Sequence, residues 1–320
     1  MSMHFRDLAL QAAADGVIGA QEILELRRAG WADGKMDPEE AEALFEANDR
    51  LTEPSREWAD FFVEALTEFI VNTVEPRGYV DEFMGDELIE RIKKNGRVSS
   101  LAELELLVKV MEKATSVPRR VKDFALEQIE EAVLNGDGPT RDGELSPGVI
   151  NSTECALLRR MIFAAGGDRP ASVSKAEAEM LFRIKDATIY ENNAPEWEKL
   201  FVQGVANFLL GFGGHEPLPR ERAAQLEAFM NAEGAGIGSF LSRMLRSDVD
   251  NNAGAAFGSL LEMGSQGPDL DDDVAEAGKL TQAEELWLLD HIDADEELDP
   301  LEKALLAFIA EETGEDPLRG

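Results

Sequence analysis

Residues 16–31, GVIGAQEILELRRAGW, return at residues 148–163 as GVINSTECALLRRMIF, with identities at Gly16/Gly148, Val17/Val149, Ile18/Ile150, Glu22/Glu154, Leu26/Leu158, Arg27/Arg159 and Arg28/Arg160. The correspondence continues in order. EAEALF from Glu40 to Phe45 faces EAEMLF from Glu177 to Phe182, and EWADFFVEALTEFIV (57–71) faces EWEKLFVQGVANFLL (196–210). Matches that keep their order over this much chain define an internal repeat, and a repeat constrains the architecture before any single element does. A third, partial copy begins at Ala277, where AGKLTQAEELWLLDHIDADEELDPLEKALL follows DGVIGAQEILELRRAGWADGKMDPEEAEAL from Asp15 without a gap. It sets Leu280 against Ile18, Glu284 against Glu22, Asp295 against Asp33, Asp299 against Asp37 and Glu302 against Glu40.

Each copy reads as helix, tight turn, helix. In EILELRRAGW and EEAEALFEAND, apolar residues recur every three or four positions (Ile23 and Leu26; Ala41, Leu44 and Phe45), which places one buried stripe on each helix. Between them ADGKMDPEE supplies a glycine for positive φ, Asp37 as a cap, Pro38 at the first helical position and glutamates in the first turn. The same periodicity predicts further helices near 55–73, 81–94, 100–113 and 118–134, the third opened by a serine cap. No alternating strand pattern lasts more than a few residues. The expected fold is therefore all-α: a duplicated multi-helix bundle with half-EF-hand-like turns and a C-terminal helical pair. Turn formers crowd NGDGPTRDGELSP (135–147), and the stretch from Asp248 is rich in Gly, Ala, Asn and Asp. These divide the chain into a first helical domain (1–138), a second (139–247), a flexible acidic tether (248–276) and the last helical pair (277–320). Before the tether, IGSFLSRMLR (237–246) gathers its apolar residues on one face, which suits either a domain core, the favoured reading, or a groove-seeking helix.

Composition narrows the partners. Against 31 Lys and Arg stand 65 Asp and Glu, a formal charge of −34 that repels phosphate backbones and anionic lipid heads. Nucleic acid and membrane insertion are not expected, and no apolar run reaches the ~20 residues needed to cross a bilayer. Arg6 and Asp7 interrupt what would be the apolar core of a signal peptide, and the single cysteine, Cys155, admits no internal disulfide. A cytoplasmic location is expected.

The turns DGVIGAQE and DGKMDPEE carry the second half of an EF-hand calcium loop, in which glycine permits the sharp bend and the last glutamate binds the ion bidentately. The first half is missing from these copies, because Gln11, Ala13, Ala29 and Trp31 stand where oxygen donors are needed. In the third copy the register supplies Asp293, Asp295, Asp299 and Glu302 as donors for Ca2+, with His291 at the first position and Glu296 in place of the glycine. Other chemistry is sparse. His4, His215 and His291 have no spacing that suggests a metal or nucleophile pair, and Cys155 replaces Ile23 on an apolar face. GFGGH (211–215) lacks the Lys-Ser/Thr of a phosphate loop. Trp58 and Trp197 align as core residues, and the paired arginines 27–28 and 159–160 read as salt-bridge partners of acidic helix faces.

ADGVIGAQE (14–22) and ADGKMDPEE (32–40) resemble the turns of tellurite-resistance TerB-like helical domains. The resemblance covers about residues 8–72 and 145–210, with a fragment at 275–311. It implies a small helical bundle, of a kind in some cases linked to metal-ion stress and membrane-associated complexes, with acidic residues binding cations. By that resemblance Asp15, Glu22, Asp33, Asp37 and Glu40 are the candidate metal positions. The second copy departs from it, with Pro147 where the aspartate belongs and GGDRPASVSKAE in place of ADGKMDPEE. The expected function is a non-catalytic interaction or scaffold protein with a protein partner and scope for oligomers. The alternative is a calcium- or metal-responsive sensor, and a third class is an acidic mimic of nucleic acid.

Overall fold

A computed structural model describes residues 2–30, 35–52, 54–73, 77–94, 96–141, 146–164, 172–210, 280, 282–292 and 298–314. The described chain is all-α apart from one hairpin of two-residue strands. It divides into two units, residues 1–147 with 156–168 and residues 148–155 with 169–320. The first contains α1 (Ser2–Ala12), α2 (Ala20–Gly30), α3 (Pro38–Asn48), α4 (Arg56–Glu68), a π-helical turn (Phe69–Thr73), α5 (Glu82–Ile92), β1 (Lys93–Lys94), β2 (Arg97–Val98), α6 (Leu101–Lys113) and α7 (Arg119–Asn135). α8 (Ser152–Ile162) is divided between the units at residue 156. The second contains α9 (Lys175–Thr188), α10 (Glu196–Leu210), α11 (Gln282–Ile292) and α12 (Pro300–Thr313).

Short polar side chains start these helices. Ser55 accepts the Trp58 N–H at 3.2 Å and Asp81 accepts that of Met84 at 2.8 Å, so α4 and α5 begin where a helix has free amides to satisfy. Ser100 and Glu103 cap α6 reciprocally, the arrangement known as a capping box. α7 ends at Gly136, whose φ of 69° an L side chain rarely adopts.

In the first unit α1 packs on α2 and α3, α4 lies against α6, and α5 and α6 both meet α7. The apolar stripe of α4 is fully buried: Trp58, Phe61, Phe62 and Leu66 each bury a side chain worth about 1.5–3 kcal/mol. Phe62 meets Phe45 of α3 edge to face at 5.4 Å. Gly30 closes α2 against α1, since a Cβ there would stand 2.9 Å from the Phe5 ring. β1 and β2 form a short antiparallel hairpin, anchored where the Val98 N–H donates to Gln128 of α7 at 2.9 Å.

In the second unit α10 packs between α9 and α12. Gly204 permits close approach of α9, because a Cβ there would come within 2.5 Å of Leu181 Cδ1. Trp197 and Phe201 are buried on α10, Phe201 edge to face with Phe182 at 5.2 Å. Cys155 is buried, as its place on an apolar face predicts. Within the turn-rich run 135–147, Thr140 and Arg141 are buried, and Arg141 donates to the Ser146 carbonyl and hydroxyl. Thr140, Arg141 and Ser146 belong to the first unit. The expected tether 248–276, the amphipathic run 237–246 and GFGGH (211–215) lie outside the described residues.

Candidate functional site

The acidic turn residues that are described, Asp15, Glu22, Asp37, Glu40, Asp299 and Glu302, all accept backbone N–H groups at turns or helix N-termini. Asp15 folds back on its own turn, its Oδ1 accepting the Val17 N–H at 3.1 Å, next to Gly16 with φ of 85°. Glu22 accepts the Gly19 N–H at 2.7 Å, so it serves α2 as the third residue of a capping box serves the residue before the helix. Asp37 and Glu40 form the complete box on α3: the Glu40 N–H donates to Asp37 at 2.9 Å and the Asp37 N–H to Glu40 at 3.1 Å. At positions that align with these in the sequence, Asn151 with Glu154 and Ser174 with Glu177 do the same for α8 and α9. Each glutamate that the calcium-loop pattern assigns to an ion points at backbone amides. The D-x-x-E spacing serves both devices, and a helix start with proline in its first turn favours the cap.

Asp299 and Glu302, which align with Asp37 and Glu40 in the sequence, build the same box on α12, with the Asp299 N–H donating to Glu302 at 2.8 Å. They also hold a cation already present in the chain. The Lys185 ammonium lies 2.7 Å from Asp299, 2.6 Å from Glu302 and 2.8 Å from Asp186. Its side chain is only 4% exposed and Glu302 only 2%. Burial by itself would lower the lysine pKa; hydrogen bonds to Asp186, Asp299 and Glu302, with the Asp186 charge, outweigh it and hold Lys185 above the ordinary lysine range. A divalent ion at these two carboxylates would have to displace that ammonium. Asp33, Asp293 and Asp295 lie outside the described residues. Among the described residues, no three His, Cys, Asp or Glu side chains are placed to hold a metal ion together. His291 is packed against Trp287 at 4.1 Å and Phe182 at 5.0 Å, its Nδ1 at 2.8 Å from the Trp287 carbonyl.

A different feature of the first unit is shaped to receive something. α3, the π-helical turn and α5 enclose a groove of about 390 Å³. Phe45 comes from α3, Phe69 and Ile70 from the π turn, and Phe83, Met84 and Leu88 from α5. The opening follows from how α5 is held: a Cβ on Gly85 would sit 3.0 Å from Val121 and 3.1 Å from Pro118, so α5 leans on α7 through its glycine. Phe83 is left 71% exposed at the lip. The π turn adds a residue to its helical repeat, which shifts the side-chain register beside the groove, and such turns recur at functional sites.

Charge frames this apolar surface. Arg91 closes one end, bonding both Glu42 oxygens at 3.0 Å, reaching Asp49 at 3.3 Å and lying 4.7 Å over the Phe45 ring. The sequences of α3 and α5 together hold eight carboxylates against this one guanidinium. Glu46 pairs with Arg6, and Glu82 and Asp86 pair with Arg120. Glu39, Glu87 and Glu90 make no ion pair among the described residues. Sequence reasoning missed this groove. Its traces are the adjacent Phe83 and Met84 in α5 and the apolar run of Phe69 to Val71, both of which fit an ordinary buried stripe. Set against protein families, curated proteins and solved structures, the chain matches none of them.

Proposed function

We propose that the protein is a non-catalytic helical interaction module that holds a protein partner in the groove of its first unit. The observation that carries this reading is Phe83, 71% exposed at the mouth of a groove floored by Phe45, Ile70 and Leu88. An aromatic ring kept in water beside an apolar depression is a feature of recognition surfaces, where a few such side chains supply most of the binding energy. Cys155 is buried and His291 is packed between aromatic rings, so neither offers a free reactive group, which fits binding rather than catalysis at these two side chains. TerB-like membership, a duplicated bundle and a cytoplasmic setting belong to the same proposal. They rest on the turn motifs, the repeat and the negative charge, and no described helix is long and apolar enough to cross a membrane. In the alternative reading, a calcium-responsive sensor, the ion would be held by the turn from Asp293 to Glu302.

Affinity purification from the source cells with quantitative mass spectrometry tests the interaction reading, using the wild type, Phe83→Asp and Tyr190→Asp. Tyr190 is 93% exposed in the second unit and controls for loss of a surface aromatic. Phe83→Asp is expected to shed partners that the wild type and Tyr190→Asp both retain, with its melting temperature unchanged. Identical recovery from all three proteins would remove the groove from the function.

A further inference from the structure

Resting on the interaction reading, we infer that the partner segment is a cationic amphipathic helix: apolar residues on one face, flanked by lysine or arginine. Two observations set its chemistry. The floor and walls supplied by Phe45, Ile70, Met84 and Leu88 take apolar side chains, and a helix presents these at i, i+3, i+4 and i+7. The rim sets the sign of the flanking charge. Glu87 lines the groove, and Glu39 and Glu90 share its two wall helices, all without an ion pair among the described residues. Among the described residues that line the groove the one cation is Arg91, and it is already bound to Glu42 and Asp49.

An uncharged apolar ligand gains nothing from that rim, and an anionic one such as a fatty acid is repelled by it. Lysine or arginine flanks meet Glu87, an exposed lining carboxylate that loses little by pairing, and Glu39 and Glu90 stand exposed on the same two wall helices. Long-range attraction from a chain of formal charge −34 adds to the encounter rate. Phe83, at the lip, is placed to close over the bound apolar face.

The probe is a fluorescein-labelled peptide of about 18 residues made of leucine and lysine, with leucines at helical spacing. A second peptide has the same composition with that spacing scrambled, so net charge is matched. Anisotropy titrations at about 0.15 M salt use the wild type, Phe83→Ser, Glu87→Lys and, in the second unit, the charge reversal Glu198→Lys. Glu198 is exposed on α10. The wild type is expected to bind the amphipathic peptide at least about ten-fold more tightly than the scrambled one. Phe83→Ser and Glu87→Lys each weaken that binding several-fold and Glu198→Lys leaves it unchanged.

Equal affinity for the two peptides would overturn the inference, since it would mean polyelectrolyte attraction alone. So would a Glu198→Lys loss as large as that of Glu87→Lys, or no binding of the amphipathic peptide. If Phe83→Asp sheds partners from cells while neither peptide binds, the interaction reading stands and the cationic helix falls. If the amphipathic peptide binds as expected but Phe83→Asp retains every partner, the groove's chemistry is as inferred and its cellular role is not.

Discussion

Asn48 and Lys185 hold corresponding positions in the aligned EAEALF and EAEMLF helices, and their difference reaches the tryptophans beside them. Asn48 accepts the Trp58 indole N–H at 3.0 Å inside the first unit. Lysine cannot accept; Lys185 turns instead to Asp186, Asp299 and Glu302, and the Trp197 indole N–H is buried without a hydrogen-bond partner. Trp58→Phe and Trp197→Phe lose similar packing, but only the first strands a buried acceptor. Urea unfolding is expected to show Trp58→Phe as the costlier by about 1–3 kcal/mol. Equal losses would show that the Asn48 bond contributes nothing net. Lys185 itself cannot be removed lightly, because Glu302 and Asp299 would be left with uncompensated charge. Lys185→Met is expected to cost about 3–5 kcal/mol, partly recovered when Glu302→Gln is added. The lysine's raised pKa also fixes the sign of its pH dependence. Its stabilisation is fully present below the unfolded lysine value of about 10.4 and declines as pH rises through the higher folded value. Lys185→Met should therefore lose less stability than the wild type above about pH 10.4, as followed by denaturant midpoint.

At the scale of elements, one device opens helix after helix. Asp37 with Glu40, Ser100 with Glu103, Ser174 with Glu177 and Asp299 with Glu302 each satisfy two amides that the helix itself leaves free. Three of these glutamates, Glu40, Glu177 and Glu302, hold positions that align in the sequence, and Glu40 and Glu302 also fit the last position of a calcium loop. The two uses separate in a measurement. If the carboxylates cap, Asp37→Ala lowers stability by about 1 kcal/mol, and by the same amount in chelator and in millimolar calcium. A wild-type midpoint that rises with calcium, and a variant that loses the rise, would instead favour the sensor reading. The caps were legible because they are local: donor and acceptor lie within three residues, and sequence spacing stands in for distance. The helices predicted near 55–73, 81–94, 100–113 and 118–134 are found at 56–68 with the π turn to 73, at 82–92, at 101–113 and at 119–135. The π turn itself was hidden, since Phe69, Ile70 and Val71 continue the apolar pattern of α4 without a break.

Over the whole molecule, the formal charge of −34 works against compactness. Ion pairs that offset it, such as Arg6–Glu46 and Arg27–Glu64, are exposed, and each contributes at most about 1 kcal/mol. Self-repulsion among the remaining carboxylates is expected to be the larger effect. Raising sodium chloride from about 0.02 to 0.5 M is therefore expected to raise the melting temperature, as screening shortens the range of repulsion to a few ångströms. A fall would mean that the ion pairs, including Arg160 with Glu105 and Glu112, outweigh it.

Helix content, the placement of caps and the burial of Trp58, Trp197 and Cys155 follow from the sequence alone. All depend on periodicity and on contacts within a turn or two of chain. What only the tertiary structure decided are the places where distant segments meet. The carboxylates of Asp299 and Glu302 read as ion donors until Lys185, more than a hundred residues earlier, is seen to fill them. The groove exists because Gly85 draws α5 onto α7 while α3 stays with α1 and α4, a competition between packing partners that no local pattern records. Periodicity says which face of a helix is apolar; it does not say whether a neighbour covers all of that face.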